Sequence, residues 1–583
     1  MTVRAIVGLT GLNFVVLVVG VSVLSAIRPW RSWVDTLRLA GVGYLVGVSS
    51  LFTVLTAELV LGVPIRPSTF ALTSACLAGA GVWSARRRAN RGLERSGGLP
   101  PGLPSIGVAV FVGAAAVYYL ALFRAARLSD LSWDVWASWL PKAKAIYFTG
   151  GLDPALLASL PGPSYPPGLP ALHAVAFHAM GSADATTLHL QYWFLGVGFA
   201  GAVIGLLTTL VRPVLLCPLV LLLLLMPDIR NRATDLYGDV PLGYLVALGA
   251  LLVLLWIRER DSWQLVTATI LLGGAMLTKR EGILFALCIV VAALVATYRE
   301  RRQTWPRIVA MGAAAFALAL PWRVWFMLES LPSDAPEEGY LGVFDHLDRA
   351  WPSHELVLRT LFDYDLWLLV PTLAIAAIGL AFVAGARREA VFAAAFLVTA
   401  AVGSAWTFWS NPSLDIGVEE GLVNRVVGTP ALALGAMIPL LLELAWRGRA
   451  GIAIAEDVGR ARARTGPVAV AMGVVVALIV AYPAITVAKG GPRFPSPEDC
   501  ILAPVAGQKV RVVFGYRATL PEAIALRDRA LEVGFEGTEA AQDGCGRARV
   551  SVDGVPSIGV GQEVMAAART VDLDPSLELD PDG

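Results

Sequence analysis

Long apolar runs alternate with short arginine clusters from one end of the chain to the other. The runs lie near 5–27, 39–63, 68–84, 105–123, 192–211, 214–227, 239–257, 264–277, 282–298, 308–328, 366–385, 390–409, 427–446 and 467–487. A helix of about 20 apolar residues crosses a hydrocarbon core about 30 Å thick. It also satisfies its own backbone polar groups in lipid, which open strands cannot do. The pattern therefore predicts about 14 transmembrane helices, of which 214–227 and 264–277 are short or broken. The first run, "AIVGLTGLNFVVLVVGVSVLSAI", is longer than a signal-peptide core and lacks a clear cleavage site, so it reads as a retained helix.

Charge orients these helices. Arginine-dense loops face the cytoplasm. They stand at 28–38, 86–95, 258–261, 299–307, 386–389 and 446–466. With both termini outside, all six fall on the inner side. The outer side of the plasma membrane then holds loops 124–191, 227–238, 329–365 and 410–426.

Beyond about residue 490 the pattern changes. "KVRVVFGY" and "GRARVSVDGV" read as strands. "LPEAIALRDRALEVGF" and "GQEVMAAARTV" read as amphipathic helices. The fold class expected is an all-α polytopic membrane protein with a small extracytoplasmic α+β domain over 490–583. The order of these elements faintly resembles half-repeats of the peptidoglycan-binding SPOR domain. Cys500 and Cys545 both lie here, and an oxidising compartment predicts a disulfide between them. Cys76, Cys217 and Cys288 lie in apolar runs, where a buried thiol is ordinary.

Composition agrees with the pattern. Of 583 residues, 56% are hydrophobic and only 16% charged, where soluble proteins carry about 25% charged residues. The net charge is +1 and no basic patch is interleaved with aromatics, which excludes a nucleic-acid partner.

Scarce charges at the outer ends of helices are candidates for chemistry. In "LSWDVWASWLPKAKAI", Asp134 stands among Trp133, Trp136 and Trp139, four residues after Asp130. On a helix these two aspartates share a face. Partial desolvation raises a carboxylate's pKa and makes it a better base. A plain aromatic belt accounts for the same residues. "GPSYPPGLPALHAVAFH" holds four prolines that forbid a helix until its second half, and reads as a re-entrant or interfacial element shaping a pocket. His173 and His178 within it read as packing residues. "RNRATDLYGDVPLGYL" places Asp235 four before Asp239, a pair suited to a sugar, a phosphate or a divalent cation, although two carboxylates alone make a poor metal signature. "LTKREG" interrupts an apolar stretch with Lys279, Arg280 and Glu281. Each charge at membrane depth costs about 2.5–3.5 kcal/mol. A tight turn avoids that cost, and a lysine or arginine there also holds phosphate. Arg425 in "GLVNRVVGTPALALG" is an anchoring arginine or a phosphate ligand.

In their order, these motifs resemble the GT-C superfamily of membrane glycosyltransferases. More narrowly, they resemble bacterial relatives of the dolichyl-phosphate-mannose protein mannosyltransferases. The likeness runs over 105–446, the expected catalytic core. Residues 1–104 would add N-terminal helices and a basic loop, and 447–489 a basic loop and the last helix. The runs at 5–27, 39–63, 68–84 and 105–123 all precede the aspartate loop, where the family has one. The family's adjacent Asp–Glu pair is missing, since Val135 follows Asp134. The resemblance implies an inverting transfer from a polyprenyl-phosphate-linked sugar, beside membrane lipid, to an envelope glycan, lipid or protein. It implies Asp134 as base, with Asp130 the alternative. Lys279 and Arg425 would steady the phosphate, with Arg280 next. Asp235 and Asp239 would position sugar or acceptor, and Tyr165 and Lys142 complete the substrate-binding set. A divalent cation is open, and no other cofactor is implied. Two readings compete: a transporter or flippase of lipid-linked precursors, and a non-catalytic cell-wall-binding relative.

Overall fold

The computed structural model describes residues 3–30, 32–90, 106–126, 131–132, 134–332, 342–344, 346–410, 420–450, 501, 503–505, 507–517, 519–542 and 547–580. Its longer helices are α1 (Val3–Ile27), α2 (Ala40–Val60), α3 (Pro67–Asn90), α4 (Ile106–Ala126), α5 (Leu140–Thr149), α6 (Gly168–Met180), α7 (Ala185–Leu207), α8 (Pro213–Leu225) and α9 (Pro227–Thr234). There follow α10 (Asp239–Glu259), α11 (Ser262–Thr278), α12 (Glu281–Ala296), α13 (Arg301–Leu328), α14 (Ala350–Leu361), α15 (Val370–Val383), α16 (Arg387–Trp409) and α17 (Glu420–Ala450). Every predicted apolar run up to 427–446 is helical, and 467–487 lies outside the described residues.

This is a helical membrane protein. Among the described residues seven helices are long and apolar enough to cross a membrane, namely α1, α2, α7, α10, α13, α16 and α17. An eighth is added if α8 and α9, bent by 59°, are one span. That is fewer than the 14 expected. The apolar helices α11, α12 and α15 have 17, 16 and 14 residues. At 1.5 Å per residue they rise about 21–26 Å, short of a full crossing.

The described residues within 1–123 and 132–483 form one compact unit, and those within 124–131 and 484–583 a second. In the first, glycines bring helix backbones together. A Cβ on Gly20 of α1 would fall inside the Gly43 carbonyl of α2, and one on Gly47 inside the Val16 carbonyl. Gly43 and Gly47 are four apart, the small-residue spacing by which membrane helices pack closely. Asn13, Tyr44 and Gln191 then hydrogen-bond across α1, α2 and α7 at 2.6–3.2 Å. α10 is buried along its whole apolar length and packs against α11 and α17.

The second unit folds as β1 (Val510–Arg517), α18 (Leu520–Glu532), β2 (Thr538–Gln542), β3 (Ala548–Val555), α19 (Ile558–Arg569) and β4 (Ser576–Leu579). Its antiparallel sheet has the order β2-β3-β1-β4, the split βαβ arrangement. Val510, Val512, Phe514 and Val550 form its core with Leu526 and Ala568. Cys500 and Cys545 lie outside the described residues, while Cys76, Cys217 and Cys288 are free thiols.

Candidate active site

Three turns that are distant in sequence converge on one charge cluster. The first carries Asp134. The chain becomes helical at this residue, passes through a π-turn at Val135–Trp139 and continues as α5. Such turns occur often at functional sites. Asp130 and Trp133 lie outside the described residues. Trp136 is exposed, and Trp139 is buried. The Asp134 carboxylate is ion-paired with Arg425.

The second turn joins α9 to α10. Asp235 ends α9, and Leu236 adopts a left-handed backbone with φ of 59°. That conformation costs a non-glycine residue about 1–2 kcal/mol. The Tyr192 hydroxyl fixes it by donating to the Leu236 carbonyl at 2.6 Å. The strained turn separates the two aspartates. Asp235 accepts from the Ser132 backbone N–H at 3.0 Å, and burial pushes its carboxyl above the usual range. Asp239 starts α10, where the helix dipole favours a carboxylate. Arg232 is committed to Asp228 through two bonds of 2.6 and 2.9 Å.

The third turn is the break between α11 and α12. Lys279 has extended backbone angles, and a Cβ on Gly282 would strike the backbone of Ala275 and Met276. The hairpin is that tight. Lys279 Nζ donates to Asp239 Oδ1 at 2.7 Å and pairs with Glu281 at 3.3 Å. Burial pushes the ammonium down, and Asp239 and Glu281 more than reverse this, so it stays charged. Arg425 enters from the second turn of α17, with Nε 3.4 Å from Asp239 Oδ2. It is turned inward and is not a surface anchor.

Tyr165 closes the cluster. Lys279, Arg280 and Lys142 lie 5.3, 5.6 and 5.7 Å from its ring centre. These are cation–π distances. Trp139 stacks on the same ring at 5.4 Å. Gly162 and Gly238 make room, since a Cβ on either would strike Tyr165 or Trp139. Burial pushes the Tyr165 phenol up to about 12, so the hydroxyl keeps its proton at neutral pH. Lys142 also donates to the Gly162 carbonyl.

The arrangement thus joins Asp134, Asp239, Lys279, Arg280, Arg425, Tyr165 and Lys142, and sets Asp235 aside on Ser132. Sequence reasoning missed Glu281 as the second carboxylate on Lys279. It also missed Tyr237, over which Arg425 and Arg232 lie at 5.1 and 5.5 Å. An aromatic ring two residues before a helix-start aspartate was the available signal. Among the described residues no three His, Cys, Asp or Glu side chains group as metal ligands. A void of about 10 Å³ opens beside Lys142 and Tyr165, about room for one water. The much larger cavity in the molecule lies elsewhere, between α1, α3 and α6. No protein-family model, curated protein or solved structure matches this chain.

Proposed function

We propose that this chain is an inverting glycosyltransferase. It moves a sugar from a polyprenyl-phosphate carrier to a hydroxyl of an envelope glycan, lipid or protein. In this reading the chain crosses the plasma membrane 14 times, with both termini, the reaction site and the C-terminal domain outside. One observation carries the proposal: Asp134, Arg425, Asp239 and Lys279, from separate motifs, form a continuous chain of ion pairs with side chains at most 18% exposed. Burying four charges costs several kcal/mol. Phosphoryl-linked chemistry gives that cost a purpose.

In the reaction an acceptor hydroxyl oxygen attacks the anomeric carbon. Its proton passes to Asp134. The bond from carbon to phosphate oxygen breaks, and its electron pair stays on the polyprenyl phosphate. The departing phosphate gains negative charge, which Lys279 and Arg425 stabilise. Arg425 links the two ends of this process. At rest it neutralises Asp134. A donor phosphate competes for the same guanidinium and so releases the Asp134 carboxylate to the acceptor hydroxyl.

Nothing comparable supports transport. The acids inside the spans are engaged locally: Thr73 bonds to Glu58, and Arg212 and Arg447 pair with Glu443. The test is transfer from a panel of polyprenyl-phosphate hexoses and pentoses, with purified protein in vesicles and a membrane-envelope extract as acceptor. Carrier-linked sugar consumed by wild type and spared by Asp134→Asn is expected. Equal consumption by a folded Asp134→Asn protein overturns the proposal, as does consumption by neither protein.

A further inference from the structure

The cavity between α1, α3 and α6 has a volume of about 560 Å³. This is the size of a ligand pocket. Its walls are apolar, with Val15 and Val18 from α1, Phe70 and Ala75 from α3, and Val175 from α6. Its two ionisable residues, Arg66 and His178, stand at one end, and Ser74 is the other polar residue in the lining. Arg66 forms no ion pair among the described residues, and no carboxylate lines the cavity. A second cation, Arg4, lies against Gly181 just past the end of α6.

Length and direction identify the occupant. Along α3 the lining runs from Pro67 to Ala78. That is about 17 Å at 1.5 Å per residue, against about 15 Å for half the hydrocarbon core. The cavity is one leaflet deep. Its charged end faces the same side as the charge cluster. Gly274 of α11 packs on Ser49 of α2, and Leu277 and Phe52 both meet Gly168, so α2 and α11 run the same way. α2 therefore ends on the side where Lys279 stands, and Arg66 follows it by six residues.

We propose that this cavity binds an anionic glycerophospholipid of that leaflet. One acyl chain lies between α1 and α3, and the phosphate sits at Arg66 with Arg4 close by. Among the described residues no carboxylate lines the cavity to receive the cation of a zwitterionic headgroup. A polyprenyl chain exceeds one leaflet, whereas this cavity ends at Ala78. The site is separate from the reaction site, and it stands whether or not the chain transfers sugar.

Native mass spectrometry of the full-length protein in detergent tests this, with phosphatidylglycerol and phosphatidylcholine of identical chains added in turn. Wild type is expected to retain one phosphatidylglycerol with at least about five-fold preference, the scale of one arginine at an anionic headgroup. Arg66→Gln, at an exposed position, should abolish the preference while a chain-bound adduct remains. Ala75→Trp, which fills the cavity, should abolish the adduct, and Asp134→Ala should leave it intact. Ala78→Leu serves if the tryptophan variant does not fold. Equal retention of the two lipids by wild type overturns the proposal. So does an adduct indifferent to both substitutions, or one displaced by equimolar polyprenyl phosphate.

Discussion

Arg425 holds two carboxylates at once, pairing with Asp134 through one terminal nitrogen and standing 3.4 Å from Asp239 through Nε. It joins a loop aspartate to a helix-start aspartate across a buried site. The first prediction concerns this bridge. Asp134→Asn keeps the shape and removes the charge. Transfer should fall by about 10²–10⁴, the usual worth of a general base. Arg425→Gln should also lower thermal stability, because it leaves Asp134 and Asp239 without their shared cation. Asp134→Asn combined with Arg425→Gln should be more stable than Arg425→Gln alone. Thermal midpoints of the three proteins check this, and an additive double variant would argue against the bridge.

Lys279 and Asp239 form the drier half of the cluster, with side chains 3% and 6% exposed. Breaking one partner of a buried pair costs about 3–5 kcal/mol, because the other charge stays buried. Lys279→Met should therefore destabilise on that scale, and adding Asp239→Asn should recover most of the loss. This outcome does not depend on what the protein catalyses. Denaturant unfolding in detergent, followed by tryptophan fluorescence, measures it.

The hydrophobic pattern made the membrane helices legible, because lipid leaves an apolar segment few alternatives to a helix. It was less informative about crossings, since α11, α12 and α15 are apolar but short. In the C-terminal domain β1 and β3 were readable from their valines, whereas β2 (TEAAQ) and β4 (SLEL) have no β-branched run to mark them. The site divides in the same way. Scarce charges at the outer ends of apolar helices drew attention to Lys279, Asp239 and Arg425. Their pairing could not be read, because it depends on the left-handed turn at Leu236 and the hairpin at Gly282. Spacing suggested that Asp235 and Asp239 act together, and that turn sends them to different partners.

Tyr165 is a platform for cations rather than an acid, since burial holds its phenol at about 12. Tyr165→Phe keeps the ring and should retain transfer within a few-fold. Tyr165→Ala removes the surface shared by Lys142, Lys279 and Arg280, each worth about 0.5–2 kcal/mol against a ring. It should raise the KM for the lipid-linked donor more than it lowers kcat. Initial rates over a donor titration separate the two. A phenylalanine variant as impaired as the alanine one would instead assign the role to the hydroxyl.

Asp235 gives a pH prediction with a definite sign. Burial raises its carboxyl above the unfolded value of about 3.9. A raised carboxyl favours the fold while protonated, and that contribution is lost as pH rises through the folded value. At neutral pH the ionised carboxylate therefore works against folding. Asp235→Asn keeps an oxygen for the Ser132 N–H and removes the charge. The variant should melt higher than wild type at pH 7, and the gap should close as the pH is lowered toward 4. Thermal midpoints across that range decide it. A variant that melts lower at pH 7 would mean that the Asp235 charge has a stabilising partner stronger than the cost of its burial.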